Sequence, residues 1–163
     1  MKKAFIVFLA LISLLFTSCS EEKYYILPFE NRDAIIECTV NDKFSIEIEK
    51  CGDTLSLSVL SPDEIRGVSF IFSDSGDKMI SDKIDMPVSR NELLGIYSVA
   101  SVLELTEEAM TSAASKGGTG EIIIEKNGLT YTLIFASDGE MTDIGIIGNG
   151  LNYSIKVNKL TVL

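Results

Sequence analysis

The stretch EIIIEKNGLTYTLIFASDGEMTDIGIIGNGLNYSIKVN, residues 121–158, is punctuated by three turn dipeptides. They are Asn127-Gly128, Asp138-Gly139 and Asn149-Gly150, each of the kind that closes a two-residue β-hairpin, because the central residues of such turns need positive φ. Three hairpins in succession predict four antiparallel strands in chain order.

The registers implied by these turns agree with one another. Directly opposite residues in a hairpin point to the same face of the sheet. Every implied pair on one face is apolar, and the pairs are Ile124 with Tyr131, Ile122 with Leu133, Leu133 with Ile144, Tyr131 with Ile146, Ile146 with Tyr153, and Ile144 with Ile155. We therefore predict a four-stranded meander with one buried face.

The first half of the chain shows the same apolar–polar alternation. It predicts strands at residues 34–40, 44–49, 54–60, 68–73 and 78–81. Between the third and fourth of these, Ser61-Pro62-Asp63-Glu64 has a capping-box pattern with proline at the first helical position, and Gly67 follows. This pattern predicts one helical turn.

A longer helix is expected in the middle of the chain. Ser89-Arg90-Asn91-Glu92 is a second capping box, and an apolar stripe at helical spacing follows it, made of Leu93, Ile96, Tyr97, Ala100 and Leu103. We predict an inserted helix at about 90–103 and a second short helix at 106–114, so that a helical lid covers about 89–115. An apolar sheet face and an apolar helix stripe must cover each other.

The predicted fold class is therefore mainly β (α+β). It is a single curved antiparallel sheet of about nine strands, a half-barrel covered by the inserted helix, in one domain at 34–163.

The N-terminus has the features of an export signal. Two lysines precede the apolar run at 4–16, which would reach only about 20 Å as a helix, too short for a bilayer core of about 30 Å. The segment Leu15-Phe16-Thr17-Ser18-Cys19 resembles the lipobox of bacterial lipoproteins, although the family favours leucine where Phe16 stands. The resemblance implies a signal peptide at 1–18, a diacylglyceride on Cys19, and an anchor with a short tether at 19–33.

Charge limits the partners of the mature chain. Removing Lys2 and Lys3 leaves 12 basic and 24 acidic side chains, a net charge of −12. Such a chain is unsuited to nucleic acid or to anionic headgroups. Membrane attachment is expected through the lipid on Cys19, on the extracytoplasmic side of a bacterial membrane.

The cluster Tyr24, Tyr25, Ile26, Leu27 and Phe29 follows the anchor closely. It fits either an arm packed on the domain or a set of aromatic rings in the membrane interface.

Two other cysteines remain in the mature chain. A three-residue loop at 41–43 places Cys38 opposite Ile46, and Cys51 then lies about 17 Å further along and on the other face. A disulfide needs Cα atoms within about 7 Å, so we predict two free thiols.

Catalytic signatures are missing from the sequence. It contains no histidine, no Cys-x-x-Cys, no nucleophile elbow and no phosphate-binding loop. No carboxylate pair is marked as buried, as acid catalysis would require. We expect no catalytic residues, no metal, no cofactor and no enzymatic activity.

The order of strands, short helix, strands, lid helices and meander resembles the lipoprotein-carrier fold of bacterial envelopes. Residues 61–67 and Ser137-Asp138-Gly139-Glu140 also look like landmarks of small envelope lipoproteins of unassigned activity. The resemblance implies a binding module that holds a lipid or other hydrophobic small molecule under its lid. The expected ligand face is Leu93, Ile96, Tyr97, Leu103, Tyr131, Leu133, Ile144 and Ile146.

The alternative left open is a structural or interaction lipoprotein. It would have the same fold with a solid core, and would bind an envelope protein or a cell-wall component.

Overall fold

The computed structural model describes residues 26–116 and 119–163. Eleven strands form one antiparallel sheet in the order β6-β5-β4-β3-β2-β1-β11-β10-β9-β8-β7, so β6 and β7 are its open edges. The strands are β1 (Ala34–Val40), β2 (Phe44–Cys51), β3 (Thr54–Ser61), β4 (Ser69–Phe72), β5 (Lys78–Ser81), β6 (Ile84–Pro87), β7 (Met110–Lys116), β8 (Thr119–Lys126), β9 (Leu129–Phe135), β10 (Met141–Gly148) and β11 (Leu151–Val162). The predicted single sheet with a helix is confirmed, with eleven strands instead of about nine.

The meander has the predicted registers. All six apolar pairs are present, from Ile124 opposite Tyr131 to Ile144 opposite Ile155. The two Asn-Gly turns have positive φ at both residues, as expected. The Asp138-Gly139 turn differs, because only Gly139 has positive φ and the hairpin closes through Ala136 and Glu140. A bulge between Met141 and Asp143 then restores the register.

The two halves of the sheet meet at the pairing of β1 with β11, which runs from Ala34 opposite Val162 to Val40 opposite Ile155. On its other side β1 pairs with β2, and Cys38 lies opposite Ile46 as predicted. The alternating burial along β1, β2 and β3 places their apolar side chains on one inner face. Residues distant in sequence therefore share one core.

The lid begins later than the capping box suggested. Helix α1 spans Leu94–Ala100 and continues as a 3₁₀ helix over Ser101–Glu104; we call Leu94–Glu104 the lid. Ser89 does not cap the helix with its side chain. Its backbone carbonyl accepts hydrogen bonds from the N–H groups of Glu92 and Leu93, which form a turn before the helix. The predicted start of the helix at about 90 was therefore wrong.

The predicted helix at 106–114 was also wrong, and the lid does not extend to 115. Only Glu107–Ala109 is helical, as a 3₁₀ turn, and β7 follows it. The intrinsic preference of alanine and glutamate for helix is weak, and pairing with the edge of β8 outweighs it. Strand β6 escaped prediction because it has only four residues and ends in Pro87, although Ile84 and Met86 alternate with other residues.

The core lies between the inner face and the lid. Its largest fully buried side chains include Phe29, Phe72, Leu103, Tyr131 and Leu133. Cys38 is fully buried in this core, whereas Cys51 is exposed at the end of β2; both thiols are free. Burial raises the pKa of the Cys38 thiol from 9.0 to about 12.

This shift predicts alkaline destabilisation. Because the pKa of Cys38 is higher in the folded than in the unfolded chain, its stabilising contribution is complete below pH 9 and is lost as the pH rises towards 12. Between these values the free energy of unfolding should fall by about 1.4 kcal/mol per pH unit more steeply than in Cys38→Ala. Denaturant titrations at intervals from about pH 7.5 to about pH 10.5 measure both slopes.

Burial also raises the pKa values of Tyr97 and Tyr131. Both tyrosines are present in wild type and variant, so their contributions cancel in the comparison. Equal slopes in the two proteins would contradict the assignment to Cys38.

Candidate functional site

A cavity of about 460 Å³ lies between the lid and the first five strands. We call it the lid groove. Nearly all of its lining side chains are apolar, and none carries a charge; they are Val40, Phe44, Ile46, Leu57, Val59, Ile65, Val68, Phe70, Met79, Ile96, Val99 and Tyr153, together with Gly95. An apolar cavity of this size is typical of a small-molecule binding site.

The floor and the rim of the lid groove differ in exposure. Ile46 and Leu57 on the sheet are buried and form part of its floor, and Val99 on the lid is buried above them. At the rim, Phe44 is 40% exposed and Ile65 is 39% exposed, so large apolar side chains meet water at the mouth. Phe44 follows the β1–β2 turn and Ile65 lies in the β3–β4 connection. The groove therefore opens at this end of the sheet.

The C-terminal half of the lid is anchored in the core. Ser101 and Tyr131 form a buried hydroxyl–hydroxyl hydrogen bond of 3.0 Å, and the Tyr131 hydroxyl also contacts the Ser98 carbonyl at 3.4 Å. Val102 and Leu103 beside them are fully buried. Lifting this half would break buried hydrogen bonds and expose core side chains, so it is a fixed point for the lid.

A chain of polar contacts joins the lid to both halves of the sheet. Arg90 is paired with Asp77 at 2.9 Å and lies over the ring of Tyr97 at 5.0 Å. The Tyr97 hydroxyl donates to Glu104 at 3.0 Å. Lys126 on β8 donates to the Glu104 carbonyl at 3.1 Å. These contacts fix how the lid lies across the inner face.

Gly95 has a packing role in the lid. A Cβ at this position would collide with the Tyr153 hydroxyl, and it would contact Leu151 at 3.7 Å. Both Gly95 and Tyr153 line the lid groove. The glycine that weakens the helix pattern therefore makes room for a tyrosine of β11.

The predicted ligand face divides into two groups. Ile96 alone among those eight residues lines the lid groove. Leu103, Tyr131, Leu133, Ile144 and Ile146 are buried in the core, and Leu93 and Tyr97 pack against it half-buried. The structure places all eight in or against one core between the lid and the sheet, but the open space lies beside most of them.

Sequence reasoning missed the residues of β1–β5 that line the groove. Their alternation marked them as inward-facing, but nothing in the alternation distinguishes a filled face from an unfilled one. No single residue of these strands signalled an opening in advance, because an isolated exposed apolar side chain such as that of Phe44 is common on protein surfaces.

Residues that follow the predicted anchor are partly described. Leu27 and Phe29 are buried in the core, so the packed-arm interpretation is confirmed for them, whereas Ile26 is 69% exposed. Cys19, Tyr24 and Tyr25 lie outside the described residues.

In the described ranges, no three His, Cys, Asp or Glu side chains are placed to hold a metal ion. The same ranges contain no helix with the length and apolar character needed to span a membrane.

No protein-family model and no curated protein matches this chain. Several solved structures do match it. An uncharacterized conserved protein from Thermus thermophilus has a TM-score of 0.47 and 7% identity, covering 81% of this chain and 79% of its own. A LolA superfamily protein from Nitrosomonas europaea has a TM-score of 0.45 and 8% identity, covering 85% of this chain and 89% of its own.

A putative outer membrane lipoprotein-sorting protein domain from Vibrio parahaemolyticus has a TM-score of 0.46 and 8% identity, covering 85% of this chain and 87% of its own. The structural neighbours thus include the class of proteins that the sequence resembles. These likenesses are distant, so the proposals below rest on the side chains of the chain itself.

The contact between Gly95 and Tyr153 predicts a strong coupling between the two positions. Gly95→Ala alone should not stabilise the protein, because the new methyl group displaces the tyrosine hydroxyl. In a Tyr153→Phe background the same substitution should stabilise the protein by up to about 1 kcal/mol, the helix preference of alanine over glycine. A double-mutant cycle of unfolding free energies measures the coupling, which we expect to be about 1 kcal/mol or more.

Gly145→Ala is the matched control. Its added methyl group would meet only Thr132, at an ordinary contact distance of 3.6 Å. Its effect on the free energy of unfolding should be the same in the unmodified protein and in the Tyr153→Phe background. Additive effects of Gly95→Ala and Tyr153→Phe would contradict the packing role.

Proposed function

We propose that this chain is a non-catalytic lipoprotein, anchored on the extracytoplasmic side of a bacterial membrane, that binds a hydrophobic or lipid-like ligand in the lid groove. The observation that carries the proposal is the 460 Å³ apolar groove, open at a rim of exposed Phe44 and Ile65. Protein interiors are normally close-packed, so unfilled apolar space of this size is unusual in a core. A ligand that fills it gains dispersion contacts and removes apolar surface from water.

The groove also favours ligand binding over the solid-core alternative. Under strands β8–β10, Leu133, Ile144 and Ile146 are fully buried beside the lid, and none of them lines the groove. The space under β1–β5 is not filled in this way. One half of the fold thus holds the lid in place, and the other half leaves room for a ligand.

The anchor rests on the sequence around Cys19. The chain is held by the core from Leu27 onward, since Leu27 is buried. The roughly eight residue steps from Cys19 reach at most about 27 Å, so the domain would stay close to the bilayer. Incorporation of labelled palmitate, and its loss in Cys19→Ala, tests this part; incorporation that survives Cys19→Ala would contradict it.

The ligand proposal predicts that a charge in the roof of the groove abolishes binding. Ile96 is half-buried and lines the groove, so Ile96→Glu would place a carboxylate against the ligand at a cost of several kcal/mol. We expect at least a tenfold loss of affinity for a fluorescent hydrophobic probe, measured by titration, with the thermal midpoint followed in parallel.

Leu94→Glu is the matched control on the same helix. Leu94 is 36% exposed and does not line the groove, so its variant should bind the probe as the unmodified protein does. Absence of probe binding to the unmodified protein, or equal binding by both variants, would refute the ligand proposal.

A further inference from the structure

The volume of the lid groove sets the size of its occupant. A dry apolar cavity of about 150 Å³ accommodates one benzene molecule, which has six carbons. The groove is about three times as large. By that scale it holds roughly 16 to 18 carbons.

The shape of the groove is set by the strands beneath it. Six neighbouring strands contribute side chains, from Tyr153 on β11 through Val40 on β1 to Met79 on β5. At about 4.8 Å between strands, five spacings correspond to roughly 24 Å. The mouth, at Phe44 on β2 and Ile65 between β3 and β4, lies partway along this length, so a chain that enters there must bend to follow the groove.

The polarity of the groove places the headgroup outside it. The lining contains no charged side chain, and Tyr153 supplies its only side-chain hydroxyl. A charged or strongly polar headgroup drawn inside would lose its hydration without a partner to replace it. Such a group would remain at the mouth, beside the exposed side chains of Phe44 and Ile65.

We infer that the lid groove takes one acyl chain of roughly 16 to 18 carbons from a single-chain amphiphile, such as a free fatty acid or a lysophospholipid, whose headgroup stays in solvent. This inference rests on the proposed hydrophobic ligand and specifies its class. A lipid with two chains has about twice the carbon that the groove can enclose, and a rigid fused-ring sterol cannot bend to follow it.

The test is a chain-length series on the purified protein. Fatty acids and lysophosphatidylcholines of about 8 to 22 carbons compete with a fluorescent single-chain probe, and a diacyl phosphatidylcholine and cholesterol compete in parallel. We expect affinity to rise about fourfold per methylene group and to level off at about 16 to 18 carbons. The same plateau in the fatty-acid and lysophosphatidylcholine series would show that the protein recognises the acyl chain. A plateau in only one series would show that the ligand belongs to that headgroup class.

A groove-shortening variant gives a second readout. Val59 on β3 is buried and lines the groove, and Val59→Phe adds four carbons there, so the plateau should move to chains about four carbons shorter. The control is Ile147→Phe on the outer face of β10, where the side chain is 60% exposed; its plateau should not move. If Val59→Phe does not fold, the series on the unmodified protein alone decides.

Three results would overturn the inference while leaving the hydrophobic-ligand proposal intact. They are affinity that still rises at about 22 carbons, a diacyl lipid or sterol that binds as tightly as the best single-chain ligand, and a probe that binds but is not displaced by any acyl chain. A protein that binds no hydrophobic probe would overturn both.

Discussion

Strands β6 and β7 follow each other in the chain but lie at opposite edges of the eleven-stranded sheet, so the segment between them must cross the whole inner face. Ten strand spacings amount to roughly 48 Å across a flat sheet, and residues 88–109, partly helical, reach only about 50 Å. The segment is therefore nearly taut unless the sheet curves and brings its edges together. This one connection places a helix over the apolar face.

The lid does not meet the two halves of the sheet in the same way. Over β8–β10 the core is closed, and Ser101, Leu103 and Tyr131 fix the lid to it. Over β1–β5 the lid has Gly95 and Ile96 above open apolar space. Because β1 pairs with β11, both regions belong to one sheet, and the rigid half holds the roof of the open half in place. A binding site built in this way needs no separate domain to support it.

Much of this arrangement could be predicted from the sequence. Two Asn-Gly turns and an Asp-Gly turn predicted the registers of four strands, because turn chemistry and side-chain alternation are local properties. Strand β7 was mistaken for a helix, since its partner β8 decides its conformation. The groove could not be predicted, because it forms where side chains from strands distant in sequence leave the space under the lid unfilled. Of the eight expected ligand residues only Ile96 lines the groove, and the other seven lie in the core or pack against it.

The most direct measurement is an isotope-edited NMR experiment on the protein with a ¹³C-labelled palmitoyl chain bound. The account predicts ligand–protein nuclear Overhauser effects to the methyl groups of Ile46, Leu57 and Val59 on the groove floor, and none to Leu133 or Ile144 in the closed half of the core. Overhauser effects to Leu133 and Ile144 instead, or no contact with any floor methyl group from a chain that is bound, would contradict it.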